Sequence, residues 1–231
     1  MYRLETHTHS NLISNCSRLS AEQIIDIYYQ NGYNGIIITE HFLNSGSNKV
    51  DNNYPNLSYK EKVEMFYDGY LQIKELAKGK LDVFFGFEYG YKGTDILVYG
   101  WDKEKLLQIP EIMQMSTREF IEFANDTGAL TVHAHPFREA HYIDHIRLFT
   151  QVQGVEVYNA CRTDFCNEMG ELYAKKYNKY HLAGSDIHYT NVKVLTGLEF
   201  EEKVQSIEHF ISLIRQNKGK IFKKENVRYE D

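Results

Sequence analysis

The chain has 231 residues, 42% of them hydrophobic and 25% charged, with a net charge of −6. These values are ordinary for a soluble globular protein, and the length suits one barrel-sized domain spanning residues 1–231. The acidic balance argues against a broad duplex-DNA footprint, which needs clustered Lys and Arg. No apolar run approaches the roughly 20 residues of a membrane helix.

In chain order, Tyr2-Arg3-Leu4-Glu5 reads as a strand running into His7 and His9. Ser20 caps a helix over residues 21–31, with Gln23 completing a capping box and Gly32 ending it. Gly35 to Thr39 forms a strand buried on both faces. Residues 44–56, rich in Asn, Ser and Gly, form a loop before a long helix over 59–78. Strands follow at 81–87 and 95–99, then a helix at 117–126 stopped by Gly128. Residues 130–133 and 155–158 are strands, with a weaker helical or loop segment between them. A helix at 165–177, a short strand at 181–183, a last inner strand at 195–199, a helix at 207–216 and a terminal strand at 220–222 complete the pattern.

Alternating strands and helices imply a parallel sheet. Polar residues recur just past strand after strand, which fits a closed barrel carrying its site on the C-terminal rim. No glycine phosphate loop is present, so nucleotide-cofactor folds lose support. Three cysteines, Cys16, Cys161 and Cys166, make no disulfide framework. Their odd number and the lack of a secretory leader point to a reducing cytoplasm. The 18 tyrosines are read as half-buried packing residues.

The chemistry is concentrated in five short motifs: His7-Thr8-His9, Glu40-His41, Glu88, His135-Pro136 and Asp186-Ile187-His188. On a strand, side chains two apart point the same way, so His7 and His9 can grip one ion. A lone H-x-H is weak evidence. Five such groups, each at a predicted strand end, favour a hydrolytic metalloenzyme.

Taken together, these motifs resemble the polymerase and histidinol phosphatase (PHP) family. Gly154-Val155-Glu156-Val157-Tyr158-Asn159 is similar to that family's G-[IV]-E-V-x-N strand, and Gly184-Ser185-Asp186-Ile187-His188 to its G-S-D-x-H ending. The resemblance covers nearly the whole chain. It implies a distorted (β/α)7 TIM-like barrel and a cluster of two or three divalent metal ions. By position it assigns ligation to His7, His9, His41, Glu88, His135, Asp186 and His188. Mixed imidazole and carboxylate donors suit Zn, Mn or Fe, and Glu88 can bridge two ions. Clustered ions clamp a phosphate and generate hydroxide near neutral pH.

The chain departs from the family pattern at several positions. Asn15 stands where Asp or His is usual, Asp95 stands in place of a His, and Glu5 and Glu40 replace Asp. These changes bear on the third metal more than on the first two. Glu40, longer than Asp, can reach a supporting histidine instead of a metal.

Other residues are weighed against plainer readings. Arg138, after the His135-Pro136-Phe137 turn, can hold a substrate phosphate; Arg18 and Arg162 are weaker candidates of the same kind. His133 is read as a packed residue, His141 and His145 as one solvated helix face, and His181 and His209 as structural or exposed. A thiolate zinc site from Cys16, Cys161 and Cys166 is disfavoured because their spacing lacks a C-x-x-C pair, and Cys16 reads instead as a small residue in the rim loop beside His9. The expected activity is hydrolysis of a small phosphomonoester such as histidinol phosphate, with Glu88, Asp186 and Arg138 central. The partner is a small phosphorylated substrate, with no duplex nucleic acid and no membrane. A nuclease or nucleotide phosphatase using the same cluster is the alternative, and a catalytically silent metal-binding module ranks behind both.

Overall fold

The computed structural model describes residues 1–45, 56–91 and 93–229. Nine strands among them form a single sheet. They are β1 (Tyr2–Thr8), β2 (Gly35–Ile38), β3 (Asp82–Tyr91), β4 (Thr94–Tyr99), β5 (Leu130–Ala134), β6 (Gly154–Asn159), β7 (Tyr180–Gly184), β8 (Val194–Phe200) and β9 (Lys220–Glu225). The helices are α1 (Ala21–Gln30), α2 (Tyr59–Leu76), α3 (Lys103–Leu107), α4 (Thr117–Asp126), α5 (Asp164–Lys176) and α6 (Ile207–Arg215). Most of the predicted helix over 59–78 is therefore present, while residues 46–55 of the predicted loop lie outside the described residues.

The helices begin where the sequence places caps. Ser20 and Gln23 form a reciprocal capping box at α1, and Ser58 with Glu61 and Ser116 with Glu119 do the same at α2 and α4. Gly32 and Gly128, just past α1 and α4, have φ of 79° and 91°, which a Cβ would disfavour.

The sheet order is β7-β6-β5-β4-β3-β2-β1-β8-β9. The expected all-parallel sheet is corrected here. β1–β2–β3 and β5–β6–β7 pair in parallel, but β4 is antiparallel to both β3 and β5, and β8 is antiparallel to β1 and β9. The cause is local: β3 turns directly into β4 through a short connection, leaving no room for the crossover helix that a parallel neighbour needs.

The sheet curls into a nearly closed barrel. Thr6 Oγ1 donates to the Ala183 carbonyl at 2.8 Å and the Asp186 N–H to the His7 carbonyl at 2.9 Å, joining β7 to β1. Strand alternation then divides the core. Ile36 and Ile38 face the helix layer with Ile24, Phe66 and Phe85, whereas Ile37 faces the interior with Leu4, Leu97, Val132, Leu182 and Leu198. Phe210 and Ile211 of α6 join that interior cluster against Tyr99, at the end of β4 remote from Asp95. One end of the barrel is thus filled with apolar side chains and the other is left to polar ones.

A second correction concerns residues 135–153. They hold turns and no helix, so His141 and His145 do not share a helical face. Both are exposed, and His145 Nδ1 lies 2.6 Å from Asp144.

Candidate metal centre

The polar end of the barrel collects all seven predicted ligands. His7 ends β1 and His9 follows it. His41 comes just after β2 and bridges to Glu88 of β3. His135 follows β5, and Asp186 and His188 follow β7. Asp95 arrives by a different route: β4 is antiparallel, so its first residues, not its last, lie on this rim.

Glu88 is the hub. Its Oε1 lies 3.4 Å from both His7 Nε2 and His135 Nε2; its Oε2 lies 2.7 Å from His41 Nδ1 and 3.4 Å from His9 Nε2. Asp186 Oδ1 is 3.4 Å from His9 Nε2 and 3.6 Å from both His7 Nε2 and His188 Nδ1; its Oδ2 is 3.7 Å from His135 Nε2. Two donors each 2.0–2.1 Å from one ion at tetrahedral angles stand about 3.4 Å apart, so this spacing is that of ligand sets. Glu88 is buried, yet neither of its oxygens receives a hydrogen bond of regular geometry. An ionised carboxylate without such bonds is costly to bury unless a cation meets it.

Four triads in the described residues could hold an ion: His7–His9–Glu88, His7–His135–Asp186, His9–His41–His188 and Glu88–Asp95–His135. The donors fit divalent transition metals.

The backbone is bent to achieve this. His135 and Asp186 have φ of 29° and 52°, a region that costs a non-glycine residue about 1–2 kcal/mol. At His135 the turn swings the side chain out of the alternation of β5, in which Val132 and Ala134 face the interior, and into the cleft. That is also why His133, two residues before His135, points elsewhere. Its ring packs 6.3 Å from that of Phe149 and 6.0 Å from that of Tyr173, and Nε2 lies 3.1 Å from the Arg147 carbonyl.

Carboxylates behind the cluster set its geometry. Glu156 Oε1 holds His7 Nδ1 at 2.9 Å, turning Nε2 towards Glu88, and Glu156 Oε2 accepts from the His135 N–H at 3.0 Å and Asn159 Nδ2 at 2.9 Å. Glu5 Oε1 accepts from the N–H groups of Thr6, His7 and Ser185. Glu40 meets no supporting histidine. It accepts from the N–H and hydroxyl of Ser10 and from Ser14 Oγ, so it ties down the loop after β1.

Sequence reasoning gave Glu156 no role, although a lone acid in the apolar run Gly154 to Val157 was a usable signal. It also ranked Arg162 low. Arg162 Nη2 lies 2.6 Å from Asp186 Oδ2, the shortest charged contact made by that ligand. Arg138 Nη1 lies 3.2 Å from Asp95 Oδ2, and its guanidinium also meets the Tyr142 hydroxyl. Arg138, Arg162 and Cys16 line a cleft of about 600 Å3 over the cluster. Arg18 is not among the residues lining it. His181 and His209 pair outside it with Glu171 and Glu202.

The surrounding charges keep the two central acids ionised. Burial alone would raise the Glu88 carboxyl, but the His41 and His7 charges outweigh it and hold it well below the usual carboxylate range. Asp186 is lowered for the same reason by His7, His9, Arg162 and His188. Burial, with the neighbouring His41 charge, pushes His9 down to about 3, leaving a neutral imidazole with a free lone pair. Burial raises the Asp95 carboxyl, as does the Glu88 charge beside it.

Burial also lowers His133, to about 4. Its contribution has a definite sign. Below the unfolded value of about 6.5 the unfolded chain takes up a proton that the folded chain refuses, so stability is lost as pH falls from there to about 4. The loss amounts to about 3 kcal/mol at most. Urea unfolding across this range should show the wild type falling more steeply than His133→Gln. Parallel curves would mean that His133 titrates normally.

No protein-family model and no curated protein matches the chain. Solved structures do. A two-domain protein from Bacteroides vulgatus, containing a predicted PHP-like metal-dependent phosphoesterase, superposes with a TM-score of 0.65 at 14% identity over 96% of this chain. The fold is that of the PHP-like proteins. The chain spans 64% of the length of the Bacteroides protein. A candidate metal-dependent phosphoesterase from Bifidobacterium adolescentis matches with a TM-score of 0.56 at 12% identity, over 93% of this chain and 96% of its own. PsfC from Pseudomonas syringae matches with 0.58 at 20% identity, over 92% and 89%. The PHP-like barrel places strand ends, and hence the ligand motifs, around one rim. Among the described residues no helix is long and apolar enough to cross a membrane.

Proposed function

We propose that this protein is a metal-dependent phosphoesterase that hydrolyses a small phosphomonoester. The carrying observation is Glu88: one buried carboxylate whose two oxygens are faced by four imidazoles from three other strand ends and which receives no regular hydrogen bond. That is the environment of a bridging ligand. His7, His9, His41, Glu88, His135, Asp186 and His188 would hold two or three ions, with Asp95 a further oxygen donor beside Glu88 and His135. Zn, Mn and Fe all accept such donors.

When bound, such ions act as Lewis acids on phosphoryl oxygens and lower the pKa of a water. The chain's own residues do the rest. Glu156 fixes the tautomer and direction of His7, as carboxylates behind metal-binding histidines do. Glu88 and Asp186 would supply the negative charge that retains such ions. Arg138 and Arg162 line the cleft, paired with Asp95 and Asp186, and would meet phosphate oxygens with their remaining N–H groups and orient the ester. The described fold and the phosphoesterase descriptions of two structural neighbours support this reading. Histidinol phosphate is the first substrate to test.

A screen on metal-reconstituted protein covering histidinol phosphate, nucleotides and short oligonucleotides tests the proposal. Phosphate release from a small ester is expected. Cleavage confined to oligonucleotides would replace the reading with a nuclease, and full ion occupancy without turnover would leave a silent metal-binding module. On the best ester found, Arg138→Ala should chiefly raise KM while metal content stays unchanged. Unchanged KM and kcat would return Arg138 to the role of an Asp95 partner.

A further inference from the structure

We propose that the Cys16 thiolate is a ligand of the ion held by His9, His41 and His188. The inference rests on the metal-centre reading above and adds a donor to it.

The placement is built, not incidental. Cys16 lies in the loop between β1 and α1, and its neighbours pin that loop to two of the three histidines. Ser17 Oγ donates to the His9 carbonyl at 3.0 Å and the Arg18 N–H to the His188 carbonyl at 2.9 Å. Cys16 Sγ then stands 3.2 Å from His188 Nε2 and lines the same cleft as His41 and His188. A sulfur at about 2.3 Å and a nitrogen at about 2.0 Å from one tetrahedral ion are about 3.5 Å apart, so this pair needs a shift of a few tenths of an ångström to share an ion.

The three histidines point independently to an ion. One ring nitrogen from each lies within 4.8 Å of the others, and the His9 ring sits 4.5 Å from that of His41 and 5.1 Å from that of His188. His9 is fully buried, and its Nδ1 has no hydrogen-bond partner. Three imidazoles leave a tetrahedral ion one donor short. The thiol supplies it: the S–H proton leaves to solvent as the sulfur–metal bond forms, so ion uptake at this position releases one proton. A soft thiolate with three imidazoles selects zinc-like ions over manganese or magnesium. Sulfur would thus take up the function that Asn15, one residue earlier, serves poorly as a neutral amide.

Cobalt(II) reports the bond directly. Cobalt-loaded wild-type protein should show an intense near-ultraviolet sulfur-to-cobalt charge-transfer band. Cys16→Ser should lack the band and bind one fewer tight ion, while Cys161→Ser and Cys166→Ser keep both. Cys16→Asp should regain the ion but shift preference towards manganese. In the unmutated chain, zinc should shield Cys16 from iodoacetamide, as located by peptide mass spectrometry, which gives a result even if the serine variant fails to fold. Full cobalt occupancy with no band, a band surviving in Cys16→Ser, or equal labelling with and without zinc would overturn the thiolate ligand alone. A wild-type chain that binds no cobalt would overturn the metal centre itself, and this inference with it.

Discussion

Glu88→Gln should lower phosphoester turnover by orders of magnitude while leaving the barrel folded. The substitution keeps the size and shape of a side chain that is 1% exposed, so packing changes little. What it removes is charge. Glu88 faces His7, His9, His41 and His135 together, and it belongs to two of the four candidate ligand triads. An amide there is a poor anionic ligand, so ions on both sides should be lost or weakened at once. Losing charge stabilisation and an activated water together accounts for an effect of orders of magnitude, since either alone is typically worth a factor of about 100 or more. Steady-state kinetics with elemental analysis of the same sample checks this. Near-wild-type turnover would remove the bridging role.

Gly184→Ala should damage the centre from behind, through sterics. Gly184 ends β7 where that strand crosses His7 of β1. A Cβ there would collide with the His7 Cβ, and would stand 2.7 Å from Glu156 Oε1 and 3.1 Å from the His7 backbone nitrogen. None of these is a flexible side-chain tip: two belong to the strand that closes the barrel, and Glu156 is held by three hydrogen-bond partners. Overpacking of this kind costs about 1–3 kcal/mol, and the displaced His7 should bind its ions more weakly. Gly128→Ala is the control. Its φ of 91° carries a backbone cost, but nothing lies within 4 Å of the added Cβ, so metal content should not change. Urea unfolding of the metal-free variants, followed by metal analysis of the reconstituted ones, separates the two. Wild-type stability and metal content in Gly184→Ala would show that the crossing tolerates a methyl group.

Periodicity and end signals were enough to place most strands and helices within a few residues, because Ser20, Gly128 and the buried run Gly35 to Ile38 act locally. Strand direction was not legible. Nothing within Ile96-Leu97-Val98 distinguishes a parallel from an antiparallel neighbour, and the reversal of β4 follows from a short connection whose consequences are tertiary. The ligand motifs were readable because each is confined to a strand end. Their supports were not. Glu156 holds His7 across 149 residues, and Arg162 reaches Asp186 across 24. Cys16 and His188, 172 residues apart, meet only once the barrel closes. The separation between His133 and His135 was also hidden, since it depends on the positive φ at His135.

The most direct measurement is a metal titration of chelator-stripped protein with phosphate release from a small phosphomonoester followed at each point. The account predicts negligible turnover in the stripped chain and activity that rises with added Mn or Zn to a plateau at two or more ions per chain. Turnover that persists without metal, or a fully loaded chain that releases no phosphate from any ester in the screen, would contradict it.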